Sequence, residues 1–417
     1  MRRFAFLVGA MAAALTMTGC GSGGEPDAEP ELRPSAATTV ESDEVLALVN
    51  GVLIDGTGAA PLLDASLVIQ GARIVEIGSR PDLDVPQGAE VIDVQGSTIL
   101  PGFVNSHVHL GFEEDRLLAW AQEGVTTVRD LGVLDSSSEL FVARDALLLD
   151  SRYARLVAAG PMVSVPGGYP VVPSDLPELG LLVTSPDDAA AKIHRLLDDG
   201  ADVIKIALER GSIWEMEIPA LSPQEAAAVV AAAHERGTLV SAHVTAAEDL
   251  QLALDAGVDD IAHMVVLPRG EELDPELIER MVENDVYWVP TLELWRIAGS
   301  LYTDPAIAHL TSFVEAGGKV ALGTDYAGYR DEGQFDLGMP ITEIELMQQA
   351  GMTPMQIIVA ATKNGAHVCN LDHELGTLEA GKIADVLVVS GDPLEDIHNL
   401  TNTRIVIHGG EVIRNDL

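Results

Sequence analysis

Between Pro101 and Gly351 short apolar runs alternate with amphipathic ones, and this alternation restricts the chain to a parallel α/β architecture. ILPGFVNSHVH, TTVRDLG, RLVAAGPMV, DVIKIAL, LVSAHV, DDIAHM, YWVPTL and KVALGTD read as strands. SPQEAAAVVAAAHERG, AAEDLQLALDAG and DPELIERMVEND read as helices, each opened by Ser, Asp or a small residue. Eight strand–helix units over this length predict a (β/α)8 TIM barrel across residues 101–373. The alternative, an open doubly wound sheet, is disfavoured because no Gly-rich phosphate turn follows the first strand.

The flanks have a different texture. Residues 44–98 carry short alternating strands, with turn signals at Asn50-Gly51, Gly71-Ala72 and Gln95-Gly96. The same texture returns in ADVLVVSGD and TRIVIHGGEVI, so residues 44–100 and 374–417 are expected to build one small β-sandwich. At the N-terminus, Arg2-Arg3 precede the apolar run Phe4 to Leu15 and then Thr16-Met17-Thr18-Gly19-Cys20. That order predicts a signal peptide over residues 1–19, because the apolar run is too short to span a bilayer. Thr18-Gly19-Cys20 resembles a bacterial lipobox, which would make Cys20 the lipidated first residue of the mature chain. Residues 20–43 read as a flexible tether. The expected location is the cell envelope, on the periplasmic or extracellular face, with the membrane touched only through the lipid. Cys369 is the one other cysteine, so no disulfide is expected within the fold. The net charge of −41 argues against nucleic acid as a partner.

The chain has only five lysines, and one of them, Lys205, stands inside the apolar run DVIKIAL. A buried ammonium costs several kcal/mol unless it is paired or loses its charge. In a barrel the reactive groups sit at the carboxyl ends of the strands. Those ends carry His107 and His109 on the first strand, Lys205 on the fourth, His243 on the fifth, His263 on the sixth and Asp325 on the eighth. Residues two apart on a strand face the same way, so His107 and His109 point together while Val108 packs behind. Five of the six are ordinary ligands for a borderline metal such as zinc.

LPGFVNSHVHLGF, DVIKIAL, SAHV, DIAHM and LGTD, in this order, resemble the metal-dependent amidohydrolase superfamily, and LGTLEAGKIADVLVV is similar to its closing segment. The resemblance spans roughly Glu44 to the C-terminus. It implies two divalent metals: His107 and His109 on a buried one, His243 and His263 on a more exposed one, and Asp325 on the first metal and the attacking water. In binuclear members a strand-four lysine takes up carbon dioxide and bridges the metals as a carbamate. Burial lowers a lysine pKa and frees the amine for that reaction. The alternative for Lys205 is an amine paired with Glu209, four residues on. Asp202, three residues away, faces the other side.

The implied activity is hydrolysis of a carbon–nitrogen amide bond by a water shared between the metals. The substrate would be a small molecule such as an N-acyl amino acid, a dipeptide or a cyclic amide. Dipeptide-cleaving relatives tend to carry a tyrosine after the strand-five histidine and a Gly-Gly-His turn after strand three. Here the stretches read His243-Val244-Thr245 and Pro166-Gly167-Gly168-Tyr169-Pro170. Tyr169 is the candidate for the displaced hydroxyl, and Arg210 or Arg330 for a substrate carboxylate. Asp130 reads as a tie across the rim. Competing expectations are a mononuclear deaminase, a lactone or ester hydrolase, or a lipid-anchored binding protein on a relict barrel. A homo-oligomer is compatible with the sequence, which does not fix the subunit number.

Overall fold

Alternating apolar residues at both ends of the chain pair into one mixed sheet. The computed structural model describes residues 44–79, 82–133, 138–170, 180–214, 216–266, 272–328 and 335–417. The expected signal peptide, Cys20 and the whole of the tether lie outside these residues, as does Arg330. Val45–Leu53, Leu62–Gln70, Arg73–Ser79, Glu90–Asp93 and Thr98–Pro101 join Val386–Val389, Thr403–His408 and Glu411–Asn415 in a single eight-stranded sheet. The two ends meet where Thr98–Pro101 runs antiparallel to Val386–Val389. Leu46 and Leu48 belong to one apolar cluster and Ala47 and Val49 to another, as expected of a strand buried on both faces.

Two of the three turn signals close hairpins or corners, and the third does not. Gly71-Ala72 joins Leu62–Gln70 to Arg73–Ser79, and Gln95-Gly96 turns with both residues at positive φ. Asn50-Gly51 instead lies within the strand Val45–Leu53, at a shift of register against Leu62–Gln70. Asn50 adopts φ 61, and a Cβ on Gly51 would stand 2.5 Å from Ile99 Cδ1. The pair that resembles a hairpin turn is therefore a bulge that lets a neighbouring strand pack closely.

The middle of the chain forms two parallel ladders. Phe103–Val108, Val125–Asp130 and Arg155–Ala158 make one, of three strands. Val163–Ser164, Leu181–Leu182, Ile204–Ala207, Val240–His243, Asp260–Ala262 and Tyr287–Val289 make the other, of six. Asp202 N donates to Ala158 O at 3.0 Å between them. The expected eighth strand makes no ladder and is held by single bridges, Val320 to Trp288 and Tyr326 to Val108. Backbone bonds still bind residues 319–326 on both sides, from Trp288 N to Lys319 O at 2.9 Å and from Asp325 N to His107 O at 2.9 Å. The ladders thus run as two arcs joined by single hydrogen bonds.

Ser222 and Glu225 form a reciprocal capping box ahead of Pro223–His234 and Asp274 caps Pro275–Glu283, both where the sequence places a helix start, and Ser185 caps Pro186–Asp199 as well. Gly257 ends Ala247–Ala256 in the left-handed conformation. Among the described residues, no helix is long and apolar enough to cross a membrane.

One ion pair, buried at Asp385 and half-buried at Arg155, ties the mixed sheet to the parallel strands. Arg155 Nη1 donates to Asp385 Oδ2 at 2.6 Å, and Gly409 N donates to Asp385 Oδ1 at 2.8 Å. Burial pushes the Asp385 carboxyl upward, but Arg155 and His408 outweigh it and hold the group below its ordinary value. A carboxylate whose folded pKa is lowered contributes stability that is complete above the unfolded pKa and fades as pH falls through the folded one. Asp385→Asn should cost about 3 kcal/mol at neutral pH. In denaturant titrations from pH 7 downward, the variant should lack this component of the acid sensitivity.

Candidate metal centre

Three strand ends and the loop residue Asp325 bring donor atoms to one point. His107 Nε2 lies 3.2 Å and His109 Nε2 3.1 Å from Asp325 Oδ1. The rings of His107 and His263 are 4.8 Å apart, and those of His243 and His263 are 4.5 Å apart. The tightest donor group is His107, His263 and Asp325, whose ligand atoms all lie within 4.8 Å of one another. The sequence pairing of His263 with His243 is therefore only part of the geometry, since His263 also joins His107 and the carboxylate.

The backbone is bent to achieve this. Leu110, His263, Thr291 and Asp325 all adopt φ between 49° and 72°. Such conformations cost about 1–3 kcal/mol each for non-glycine residues and persist only where the surroundings impose them. Thr291 shows the return, because its Oγ1 lies 3.0 Å from His263 Nδ1. Gly323 lets the last stretch pass close to the first strand: a Cβ there would meet Val289 Cγ1 at 2.4 Å and His107 N at 2.9 Å.

Hydrogen bonds from behind orient the rings. His109 Nδ1 is 3.0 Å from Gly132 O, so His109 and His263 both turn Nε2 away from their partners. Asp130 ties the rim as expected, accepting from Gly111 N at 2.8 Å and Gly132 N at 3.0 Å. Burial holds His107, His243 and His263 well below the usual imidazole pKa, reinforced by Lys205 beside each of them. Burial acts the same way on His109, but the Asp325 carboxylate overrides it and raises that ring. Neutral imidazoles are the form that binds a metal.

Lys205 is fully buried, and its Nζ has no hydrogen-bond partner among the described residues. Burial pulls its pKa down to about 7, with Arg129 adding to that effect and Asp260 and Asp325 opposing it. The alternative pairing with Glu209 does not form: Glu209 accepts from the Thr245 hydroxyl and from Gly211 N. Asp202 faces the other side and pairs with Arg144.

Whether this donor set suits a metal can be judged from its own atoms. Both ring nitrogens of His107, Nζ of Lys205 and Oδ1 of Asp325 are buried without hydrogen-bond partners among the described residues. Buried polar atoms are normally satisfied, and several unsatisfied ones at one point mark a place for a further group. Donors just over 3 Å apart suit an ion with bonds of about 2.1 Å. The residues fit divalent metal.

Of the substrate candidates, Tyr169 is at the site, its ring stacked on His243 at 4.3 Å. Arg210 lies past the end of the strand Ile204–Ala207 and pairs with Asp249 at 3.4 Å. Sequence reasoning missed the floor of the site. Arg129 Nη1 and Nη2 donate to the two oxygens of Asp260 at 2.8 and 3.1 Å, Arg129 Nε donates to Ser106 O at 2.6 Å, and Ser241 Oγ donates to Asp260 Oδ1 at 2.7 Å. Both charges are fully buried. The signal was present, since TTVRD and DDIAHM carry charges inside apolar strands as DVIKIAL does.

A model of the amidohydrolase family matches residues 98–412. The chain is 26% identical to an ochratoxinase of Aspergillus niger, over 92% of this chain and 89% of that protein. It is 24% identical to an imidazolonepropionase of Geobacillus kaustophilus (strain HTA426), over 88% of this chain and 96% of that one. Among solved structures, a Xaa-Pro dipeptidase with methionine bound in its active site superposes with a TM-score of 0.74 and 27% identity, over 88% of this chain and 99% of that one.

Removing one charge of the floor leaves the other buried and unpaired. Asp260→Ala should cost about 3–5 kcal/mol in chemical denaturation, whereas exposed Asp198→Ala should change stability by less than about 1 kcal/mol.

Proposed function

The chain belongs to the amidohydrolase family, and from that premise we propose that it hydrolyses a carbon–nitrogen amide bond in a small substrate, using two divalent metals joined by a carboxylated Lys205. The parallel arcs are read as a (β/α)8 barrel over residues 101–373, and the mixed sheet as a companion domain from residues 44–100 and 374–417. One observation carries the reading: an amine sealed from water, without a hydrogen-bond partner among the described residues, stands among imidazoles held neutral. A neutral amine adds to carbon dioxide with formation of one N–C bond and loss of one proton. The product is an anion with two oxygens in place of a buried cation.

His107, His109 and Asp325 would hold one metal, His243 and His263 the other, and the Lys205 carbamate both. Bound there, divalent ions supply Lewis acidity, making water more acidic and a carbonyl more electrophilic. Asp325, fixed between His107 and His109, takes the proton of the attacking water and passes it to the departing nitrogen. Tyr169, stacked on His243, lines the substrate side. The Xaa-Pro dipeptidase likeness supports small amides and dipeptides as the first class to test. Esters and lactones would use the same arrangement.

A second reading has its own support. His107, His263 and Asp325 alone make a compact donor set for a single ion, as a mononuclear deaminase would need. Metal analysis after loading with zinc and bicarbonate separates the two, near two ions per chain for the first and near one for the second. Lys205→Ala should lose one of two ions and at least about a hundredfold of activity against the best substrate found among N-acyl amino acids, dipeptides and lactones. Full metal content and activity in that variant would refute the bridge, and 13C-bicarbonate labelling should show a carbamate carbon only in the parent protein.

The N-terminal proposal is tested separately. Arg2-Arg3, the apolar run and Thr18-Gly19-Cys20 support lipidation at Cys20 and an envelope location. Cys20→Ser should abolish incorporation of labelled palmitate in bacteria, while unchanged labelling would exclude Cys20 as the acceptor.

A further inference from the structure

Three of the candidate ligand rings differ in what stands behind them. His109 and His263 each have Nδ1 close to an oxygen, Gly132 O and Thr291 Oγ1. His243 has no such hydrogen bond among the described residues, and its Nε2 is buried without a partner. That nitrogen faces Glu209, whose Oε2 lies 3.9 Å away, about 1 Å beyond an ordinary N–H···O bond.

Glu209 is built into this position. Lys205 lies in the strand Ile204–Ala207 and Glu209 two residues past its end, where Leu208 N donates to His243 O at 3.2 Å and Arg210 pairs with Asp249. The Glu209 side chain is fully buried. One oxygen accepts from the Thr245 hydroxyl, two residues beyond His243, and the other from Gly211 N. The carboxylate is thereby fastened to the segment that carries His243. Gly211, at φ 92, closes the loop that aims it, and a Cβ there would meet Met216 O at 2.3 Å.

We propose that Glu209 is a positioning residue, the outer partner that orients the imidazole of His243 and so sets the affinity of the metal His243 holds. The inference rests on the proposed reading of His243 as a ligand. A carboxylate behind a ligating histidine fixes which ring nitrogen carries the proton and raises the basicity of the other. Glu209 acts on the metal only through that ring, because both of its own oxygens are engaged.

The test uses the full-length protein and measures zinc binding by competition with a chromophoric chelator, for the parent protein and for His243→Ala, Glu209→Ala, Glu209→Gln and Glu209→Asp. Thermal unfolding of each metal-free protein is recorded alongside. His243→Ala should remove the ion held by this ring. Glu209→Ala should weaken that same ion about 10- to 100-fold and leave any other ion at parental affinity. Glu209→Gln, which keeps an accepting oxygen, should restore part of the loss, and this recovery would not follow from a purely structural role. If His243→Ala loses the ion while both Glu209→Ala and Glu209→Gln bind it at parental affinity, the positioning role is overturned and the proposed centre stands. If His243→Ala keeps its full zinc content and affinity, the ligand reading of His243 fails and the role of Glu209 falls with it. Should Glu209→Ala lower the metal-free melting temperature, Glu209→Gln and Glu209→Asp decide, and parental affinity in both overturns the role.

Discussion

Water is kept from a group of polar atoms that have no partners of their own. His107, His243, Lys205 and Asp325 each place at least one nitrogen or oxygen in the interior without a hydrogen bond among the described residues. Folding alone does not reward such an arrangement, because each unsatisfied buried group costs about 1–3 kcal/mol. Apolar side chains there would pack more favourably. The strained conformations of His263, Thr291 and Asp325 act in the same direction, spending stability to aim side chains inward. The rest of the structure supports that concentration of cost: the Arg129–Asp260 floor, the rim tie at Asp130, and Trp288 Nε1 donating to His263 O at 2.7 Å.

The floor also shapes the electrostatics above it. Arg129 is balanced by Asp260, so the buried pair adds little net charge and its two members act on Lys205 in opposite senses. Burial is the larger influence, and it favours the uncharged amine. A charged lysine at this place would also repel a divalent ion. The same desolvation that disfavours the ammonium therefore favours both the neutral amine and any later anionic form that can pair with metal.

Much of this was legible from the residues themselves. Periodicity separated the alternating middle from the β-rich ends, and the capping signals at Ser222 and Asp274 located helix starts. The six candidate ligands were found because a strand end is a fixed place in a parallel fold. Features that depend on close packing were not legible. Asn50-Gly51 carries the chemistry of a turn, and only the approach of Ile99 reveals the bulge. Arg210 looked available for a substrate, and only the folded chain shows that it pairs with Asp249. Glu209 was not weighed as a partner for His243, because its tie to Thr245 joins the loops after two separate strands and leaves no mark in either.

The sheet shared by the two ends has a consequence for how the molecule comes into being. Thr98–Pro101, which leads directly into the strand bearing His107, finds its neighbour only when Val386–Val389 has been made. Strand pairing across so long a loop is slow to nucleate. Everything between the two strands, all six candidate ligands included, must be made before this seam can zip. Completion of the fold thus waits for Val386–Val389, and a chain cut short before them would forfeit the seam however intact its histidines remain.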